Sequence, residues 1–125
     1  RVPPPSYLQT PSVLLKSKDA YAQWFSLCAN FPKAHRYTLG GKIEAYFLEL
    51  LEGIFIALYQ PPQEKVRCLA RSIVKLDGVK FFLQLAWERK CIATDKYASL
   101  SASLEEIGKM LGGWKKGLEN KTPPT

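Results

Sequence analysis

The chain has 125 residues and a formal net charge of +7, from 18 Lys and Arg residues against 11 Asp and Glu residues. That length fits one domain and excludes an enzyme with a separate cofactor-binding domain. Hydrophobic residues make up 46% of the chain, which excludes wholesale disorder. The excess of basic residues predicts a polyanionic partner such as nucleic acid, or failing that an acidic protein or a membrane surface.

Prolines divide the chain, because proline removes a backbone donor and disrupts the interior of a helix. The nine prolines occupy positions 3–5, 11, 32, 61–62 and 123–124. Residues 1–12 are therefore predicted to form an extended, proline-rich segment. Residues 13–119 are predicted to form the folded domain, and residues 120–125 a disordered or frayed tail.

Two amphipathic helices are predicted before the second group of prolines, at about 14–31 and 38–59. Their apolar residues recur at steps of three, four or seven, as expected for one face of a helix. These residues are Leu14, Tyr21, Trp24, Cys28 and Phe31 in the first helix, and Leu39, Ile43, Phe47, Leu50, Ile54 and Leu58 in the second.

Two further helices are predicted at about 63–92 and 99–118, because the polar stretch 93–96 interrupts the apolar pattern between them. In the last helix the apolar residues from Leu100 to Leu118 follow a strict spacing of two per heptad. No segment shows the alternating pattern of a strand, so the chain is predicted to be all-α. Short connections favour antiparallel neighbours, which predicts an up-down-up-down four-helix bundle.

Patterns typical of catalysis or metal binding are scarce. His35 is the one histidine of the chain, and no nucleophile motif accompanies it. Glu44, Glu49 and Glu52 lie on the second predicted helix, but a di-iron bundle also needs Glu-x-x-His motifs on two further helices. We therefore predict no enzymatic activity, no cofactor and no bound metal. A small enzyme that uses Arg and Glu side chains on an anionic metabolite is the remaining enzymatic alternative.

The cysteines and the apolar runs indicate the cellular location. Cys28, Cys68 and Cys91 lack CxxC spacing, which predicts buried thiols in a reducing cytosol rather than a zinc or redox site. The longest apolar run, at 54–59, is far shorter than the roughly 20 residues that span a bilayer. We expect a cytoplasmic protein that does not bind membranes.

The third predicted helix concentrates positive charge, with seven basic and three acidic side chains in 63–92. Arg67, Arg71 and Lys75 are spaced by four residues and therefore form one ridge. Together with Lys65 they are candidate nucleic-acid-binding residues, because Arg binds phosphate in a bidentate fashion. The alternative is a solvated face that is partly neutralised by the acidic second helix.

Glycines and aromatics suggest packing or interface contacts. Gly108 and Gly112 share a face of the last predicted helix, where a glycine costs about 1 kcal/mol relative to alanine. With Trp114, they are candidate contacts between helices of one chain or between subunits of an oligomer. Tyr7 and Tyr97 lie outside the apolar stripes and are candidates for base stacking or an interface.

Two segments of the chain stand out, FPKAHRYTLG at 31–40 and IGKMLGGW at 107–114. They resemble the accessory variability determinant (Avd) proteins of diversity-generating retroelements. These proteins belong to a wider group of helical bundles that includes the rRNA intervening-sequence proteins. The order and lengths of the four predicted helices are also compatible, so the resemblance covers roughly residues 17–118.

The resemblance implies a four-helix bundle that assembles into a basic homopentamer. It implies association with the reverse transcriptase of the element and with RNA or DNA, in support of mutagenic reverse transcription. It also implies no catalytic centre, and a cytoplasmic protein encoded by a bacterium, an archaeon or a phage. Lys33 and Arg36 match basic positions of the first segment and become candidate nucleic-acid contacts. The alternative is a structural or protein-interaction bundle related to the rRNA group, without specific nucleic-acid binding.

Overall fold

The computed structural model describes residues 11–121, and all the regular secondary structure in that range is helical. This confirms the all-α prediction for the described residues. Residues 1–10, most of the predicted proline-rich segment, and residues 122–125 of the predicted tail lie outside the described range. The elements are α1 at Ser12–Cys28, α2 at Lys33–His35, a π-helical turn at Arg36–Gly40, α3 at Gly41–Ala57, α4 at Pro62–Glu88 and α5 at Thr94–Lys121.

Prolines stand at the starts of three helices. Pro11, Pro32 and Pro61 directly precede α1, α2 and α4, and Pro62 is the first residue of α4. Proline is tolerated at a first helical position because its missing N–H has no intrahelical partner there, and its fixed φ suits the helix. The use of prolines as boundary signals is thus confirmed at these starts.

The segment between α1 and α3 differs from the prediction. α1 ends at Cys28, and the apolar stripe expected to reach residue 31 continues into the loop. Phe31 is buried there, with its ring centroid 5.7 Å from that of Trp24. Residues 33–37, expected to be a loop, belong instead to α2 and the π-helical turn. A π-helical turn closes i→i+5 hydrogen bonds, and apolar periodicity does not predict such a turn.

α4 ends at Glu88, four residues earlier than predicted. The backbone N–H of Lys90 donates to the Trp87 carbonyl, and that of Cys91 donates to the Ala86 carbonyl. This is the bond pattern of a Schellman motif, which requires a left-handed residue after the helix, and Lys90 has a φ of 64°. Cys91 is buried after the turn, so the apolar pattern continues past the end of the helix.

α5 begins at Thr94, five residues before the predicted start. The polar residues expected to break the pattern form its first turn, where Asp95 interacts favourably with the positive end of the helix dipole. The indole N–H of Trp87 donates to Thr94 Oγ1 at 3.1 Å, and the rings of Trp87 and Tyr97 stack with centroids 4.8 Å apart. These contacts tie the start of α5 to the end of α4.

The four long helices bury one shared core. In α5, burial of the residues from Leu100 to Leu111 confirms that part of the predicted heptad seam. Burial of each such side chain contributes about 1.5–3 kcal/mol. The large side chains with almost no exposure are Trp24 of α1, Ile43, Phe47, Leu50 and Ile54 of α3, Leu69, Leu76 and Leu83 of α4, and Leu100, Leu104, Ile107 and Leu111 of α5.

Two glycines allow α3 and α4 to pack closely. A Cβ on Gly53 of α3 would collide with Ser72 Oγ of α4. A Cβ on Gly78 of α4 would lie 3.1 Å from the ring of Tyr46 of α3. α3 and α4 also form the most extensive helix pair, followed by α4 with α5, α1 with α5, and α1 with α3. The sequence did not single out either of these glycines.

Contacts between α1 and α5 occur in opposite order along the two helices. Lys16 Nζ lies 2.8 Å from Glu106 Oε2. Gln23, further along α1, donates to Ser103 Oγ at 3.2 Å, and Ser103 comes earlier in α5 than Glu106. The two helices therefore run in opposite directions where they meet.

Within residues 11–121, no helix is both long enough and apolar enough to cross a membrane.

Candidate nucleic-acid interface

The basic ridge, which we define as Arg67, Arg71 and Lys75, lies on α4. Arg67 and Arg71 are exposed and Lys75 is half-buried. Arg67 Nη1 lies 3.2 Å from Glu64 Oε1, and Lys75 Nζ lies 3.3 Å from Glu49 Oε2 of α3. Two of the three cations therefore have a carboxylate partner. The acidic α3 partly neutralises the ridge at Lys75, as the alternative interpretation of the charge pattern expects.

Arg71 differs from the other two members of the ridge. Within residues 11–121 its guanidinium has no carboxylate partner, and its Nη2 donates to Cys68 Sγ at 3.4 Å. A thiol is a weak acceptor, so this contact leaves most of the guanidinium's hydrogen-bonding capacity unused. A free guanidinium fork suits bidentate recognition of phosphate. Arg71 is therefore the member of the ridge best suited to bind an anion.

Lys75 and Lys65 are less free to meet a ligand. The Lys75 ammonium lies 5.2 Å from the ring centroid of Tyr46, within cation–π distance, in addition to its ion pair. Lys65 is half-buried in the first turn of α4. It lies about 160° around the helix from Arg67, at 100° per residue. Lys65 is therefore not part of the same ridge.

Lys33 and Arg36 have different surroundings, although the sequence suggests a single basic pair. Lys33 is exposed. The Arg36 guanidinium points inward, and its Nη2 donates to the carbonyls of Cys28 at 3.3 Å and Phe31 at 3.5 Å. Arg36 Nε is buried without a hydrogen-bond partner in the described part of the chain. Arg36 thus satisfies carbonyls at and after the end of α1, as basic side chains near helix ends often do.

The candidate basic residues do not form one continuous surface. The segment that carries Lys33 and Arg36 packs near the C-terminal end of α4, because His35 and Arg89 line the same groove. Arg67 lies in the second turn of α4 and Arg89 directly follows its last residue, so the 22 residues from one to the other correspond to about 33 Å at 1.5 Å per residue. The ridge and the basic residues of the first segment therefore lie towards opposite ends of α4.

The three packing candidates on α5 also have different surroundings. A Cβ on Gly108 would lie 3.4 Å from both Leu76 Cδ2 and Lys80 Nζ, so this glycine packs against α4 of the same chain. A Cβ on Gly112 would meet no described atom within 4 Å. Trp114 is half-buried and packs against the core. Gly112 is thus free to contact another subunit, whereas Gly108 has a neighbour within the chain.

A second basic site lies between the first segment and the C-terminal end of α4. We call it the terminal groove, and its volume is about 490 Å³. This groove could not be predicted from the apolar pattern. Its lining residues Phe82, Leu85 and Arg89 follow a helical stripe that lies beside the core stripe of α4. The residues that line the groove are His35, Thr38, Leu39, Lys42, Phe82, Leu85 and Arg89.

Comparison with known families accounts for most of the chain. The model of the family described as bAvd-like matches residues 13–118. The chain belongs to the bAvd-like family. The resemblance to Avd proteins inferred from segments 31–40 and 107–114 is thereby confirmed, and membership of the bAvd-like family suggests an accessory role. The comparison with curated proteins found no match.

Glu44 links two helices of this bAvd-like chain. Its carboxylate accepts a hydrogen bond from the Tyr21 hydroxyl through Oε2, and another from the Trp24 indole N–H at 2.8 Å through Oε1. The hydrogen bond to Glu44, followed by burial, raises the pKa of Tyr21 from 10.0 to about 12. Because both oxygens of Glu44 accept hydrogen bonds from α1, this residue joins α1 to α3.

Metal-binding and thiol chemistry gain no support from the described part of the bAvd-like chain. Residues 11–121 contain no group of three or more His, Cys, Asp or Glu side chains that could hold a metal ion. The cysteines are unpaired thiols, with Cys68 and Cys91 buried and Cys28 half-buried. Burial is the main cause that raises the pKa of Cys28 and Cys91. A thiol with a raised pKa is a poor nucleophile at neutral pH.

Proposed function

We propose that this chain is a non-enzymatic accessory subunit of a diversity-generating retroelement, acting in the cytoplasm of a bacterial or archaeal host. It binds the reverse transcriptase of the element together with template RNA or cDNA, and it supports mutagenic reverse transcription. The observation that carries this proposal is membership of the bAvd-like family over residues 13–118. The exposed Arg67 and Arg71 provide an anion-binding surface of the kind that this role requires.

We propose an up-down-up-down four-helix bundle of α1, α3, α4 and α5 as the architecture of this subunit. The opposite order of contacts along α1 and α5 supports it. Contacts between α3 and α4 are opposed in the same way, since Glu49 meets Lys75 at 3.3 Å and the ring of Tyr46 stacks on that of Phe82 at 5.8 Å. The short connections between the helices also favour antiparallel neighbours.

We propose that nucleic acid binds along the basic ridge, and the test is charge reversal. The R67E/R71E variant is compared with K18E/K96E, which makes the same change in net charge at exposed residues of α1 and α5. Binding of mixed-sequence RNA and single-stranded DNA is measured over a salt series. Loss of two phosphate contacts should reduce the slope of log K against log salt by about 1.4. An unchanged slope in R67E/R71E, or an equal loss in the control, would refute the ridge assignment.

Binding to the reverse transcriptase is tested by co-purification of the full chain with the reverse transcriptase of a diversity-generating retroelement from the same genome. We expect the two proteins to elute together, and cDNA synthesis on the template RNA to fall when the chain is omitted. A chain that neither co-elutes with the enzyme nor changes cDNA yield would contradict the accessory role. This result is independent of whether the ridge contacts nucleic acid.

We propose that the chain assembles into a homopentamer, with the open face of α5 around Gly112 and Trp114 as a subunit contact. The G112L variant should lower the mass measured by light scattering without destabilising the chain, because no described atom lies within 4 Å of the added Cβ. The G108L variant is the contrast, because its added side chain meets Leu76 and Lys80 of the same chain. An unaltered mass in G112L would reject this contact.

The second candidate is a structural or protein-interaction bundle, related to the rRNA intervening-sequence proteins, without specific nucleic-acid binding. The carboxylates of Glu64 and Glu49 favour it, because they pair with two of the three ridge cations. In this case the positive charge would serve solubility and subunit pairing. The candidate predicts no gel shift of RNA or DNA at a physiological ionic strength of about 0.15 M.

A further inference from the structure

The terminal groove combines an apolar floor with a cationic rim. Leu39, Phe82 and Leu85 provide the floor, and the rim carries Lys42 and Arg89, which are both exposed. No Asp or Glu lines the groove. Across residues 11–121, neither rim cation forms an ion pair, in contrast to two cations of the basic ridge. Lys42 Nζ does lie 5.1 Å from the ring centroid of Tyr46, within cation–π distance. The groove therefore complements a ligand with an apolar body and negative charge.

The side chain of Leu85 leaves apolar surface of the groove floor partly exposed, so another apolar group can pack on it. The core positions of this part of α4 are Leu83 and Ala86. Leu85 lies beside them, is half-buried and lines the groove. By contrast, Leu39 and Phe82 also pack against the core. An apolar side chain placed on Leu85 would bury surface that the described chain leaves partly in water, which is favourable at about 25 cal/mol per Å².

A nucleobase fits this groove poorly. One face of the Phe82 ring already stacks on Tyr46, and Phe81 meets Phe82 edge-on with centroids 5.0 Å apart. Stacking platforms for bases need an open aromatic face. The Thr38 hydroxyl already donates to the His35 carbonyl at 3.4 Å, so it is not a free donor for the edge of a base.

The segments of the chain outside residues 11–121 do not supply the complementary charge. Residues 1–10 include Arg1 and contain no Asp or Glu, and residues 122–125 contain no Asp or Glu. These residues therefore do not provide the carboxylates that would pair with Lys42 and Arg89. Short acidic segments with one or two apolar anchors are a common form of partner for a groove with an apolar floor.

We propose that the terminal groove binds an acidic peptide segment of a partner protein. A large apolar side chain of the segment packs on Leu85 and Phe82, and flanking carboxylates pair with Lys42 and Arg89. Anchors of this kind, seated in a pocket with charged groups at the edge, provide most of the affinity of such interfaces. This proposal does not depend on nucleic-acid binding, because no residue of the ridge lines the groove.

The test uses a random dodecapeptide library displayed on phage and selected against the full chain. We expect enrichment of sequences in which Asp or Glu flanks a large apolar residue. A fluorescent synthetic peptide of the enriched sequence is then titrated by anisotropy. K42E/R89E should weaken its binding by about tenfold or more, and L85S should weaken it severalfold at constant charge. K18E/K96E and R67E/R71E should bind the peptide as the wild type does.

Each other outcome overturns the proposal. In the first, the selection enriches no acidic sequence. In the second, the enriched peptide binds K42E/R89E as tightly as it binds the wild type. If K42E/R89E instead weakens binding of a mixed-sequence RNA while the ridge variant does not, the groove is a nucleic-acid contact. If K42E/R89E lowers the mass measured by light scattering, the groove is a contact between copies of the chain. Circular dichroism of each variant distinguishes these outcomes from unfolding. If K42E/R89E does not fold, L85S still tests the proposal.

Discussion

Replacement of Gly53 by alanine tests the close packing of α3 against α4. Two opposing contributions determine the result. In a helix interior, alanine stabilises the folded chain by about 1 kcal/mol relative to glycine. The added Cβ, however, would collide with Ser72 Oγ, whose residue is only 1% exposed, and overpacking of this kind typically costs about 1–3 kcal/mol. We therefore expect a net change from neutral to a loss of about 2 kcal/mol.

The matched control is alanine at Gly113 of α5, where the new Cβ would meet no described atom within 4 Å. This variant has the same gain in helix propensity without the collision, so it should be more stable than the wild type by about 1 kcal/mol. The difference between the two variants isolates the steric cost. Urea unfolding followed by circular dichroism, at several protein concentrations, gives both free energies and detects any effect of assembly.

Ser72→Ala should rescue the Gly53→Ala variant. The Ser72 hydroxyl is buried and has no hydrogen-bond partner in the described chain, so its removal leaves no other group unsatisfied. The Cβ of Ser72 would lie 3.6 Å from the Cβ added at Gly53, which is ordinary contact distance. A Gly53→Ala variant as stable as Gly113→Ala, or a double variant without rescue, would show that α3 and α4 are not this close.

Further predictions concern individual contacts. Glu44→Ala should lower stability in a thermal melt by about 2–4 kcal/mol, because the Tyr21 hydroxyl and an indole N–H lose their acceptor; Glu44→Gln should lose less. Since the pKa of Tyr21 is raised from 10.0 to about 12, its stabilisation should be complete below pH 10 and lost as the pH rises from 10 to 12. Tyr21→Phe should remove that part of the alkaline unfolding profile. Lys90→Gly should stabilise the chain to urea by about 1 kcal/mol, because glycine adopts positive φ without strain; a loss would contradict the left-handed turn. Arg36→Met should cost about 1–3 kcal/mol, because the Phe31 carbonyl loses this donor and the Cys28 carbonyl keeps only the Phe31 N–H; stability equal to wild type would show that the guanidinium contacts solvent or a ligand instead.

The four long helices could be predicted from the sequence because their apolar residues follow the helical period. Leu100, Leu104, Ile107 and Leu111 are all fully buried, as their heptad spacing predicts. The helix ends were less predictable. Cys91 is buried after a left-handed turn at Lys90, so burial continued where the helix did not. Periodicity records which residues are buried, and hydrogen bonds at the termini decide where a helix ends.

Close contacts between helices could not be predicted from glycine spacing alone. Gly108 and Gly112 share a face of one helix, yet the collision in the described chain is at Gly53, and the next tight position is Gly78. Whether a glycine is required depends on the atom opposite it, and that atom belongs to another helix. Arg36 shows the same limit for charge, because its guanidinium points towards backbone carbonyls although the sequence suggests an exposed basic residue.

Local pairing, rather than net charge, determines which cations are available to a partner. A polyanion that binds the ridge must compete with Glu64 and Glu49. Exposed pairs contribute only up to about 1 kcal/mol each, so such competition is possible, but the displaced carboxylates then repel the polyanion. In the terminal groove the carboxylates are absent from the lining, and Lys42 and Arg89 stand beside apolar surface. The ridge therefore suits a ligand of high charge density, whereas the groove suits a ligand with few charges and an apolar side chain. The two surfaces adjoin at Tyr46, because Lys42 Nζ of the groove and Lys75 Nζ of the ridge lie 5.1 Å and 5.2 Å from the centroid of its ring. Ligands on the two surfaces should therefore compete near Lys75 and be independent at Arg67.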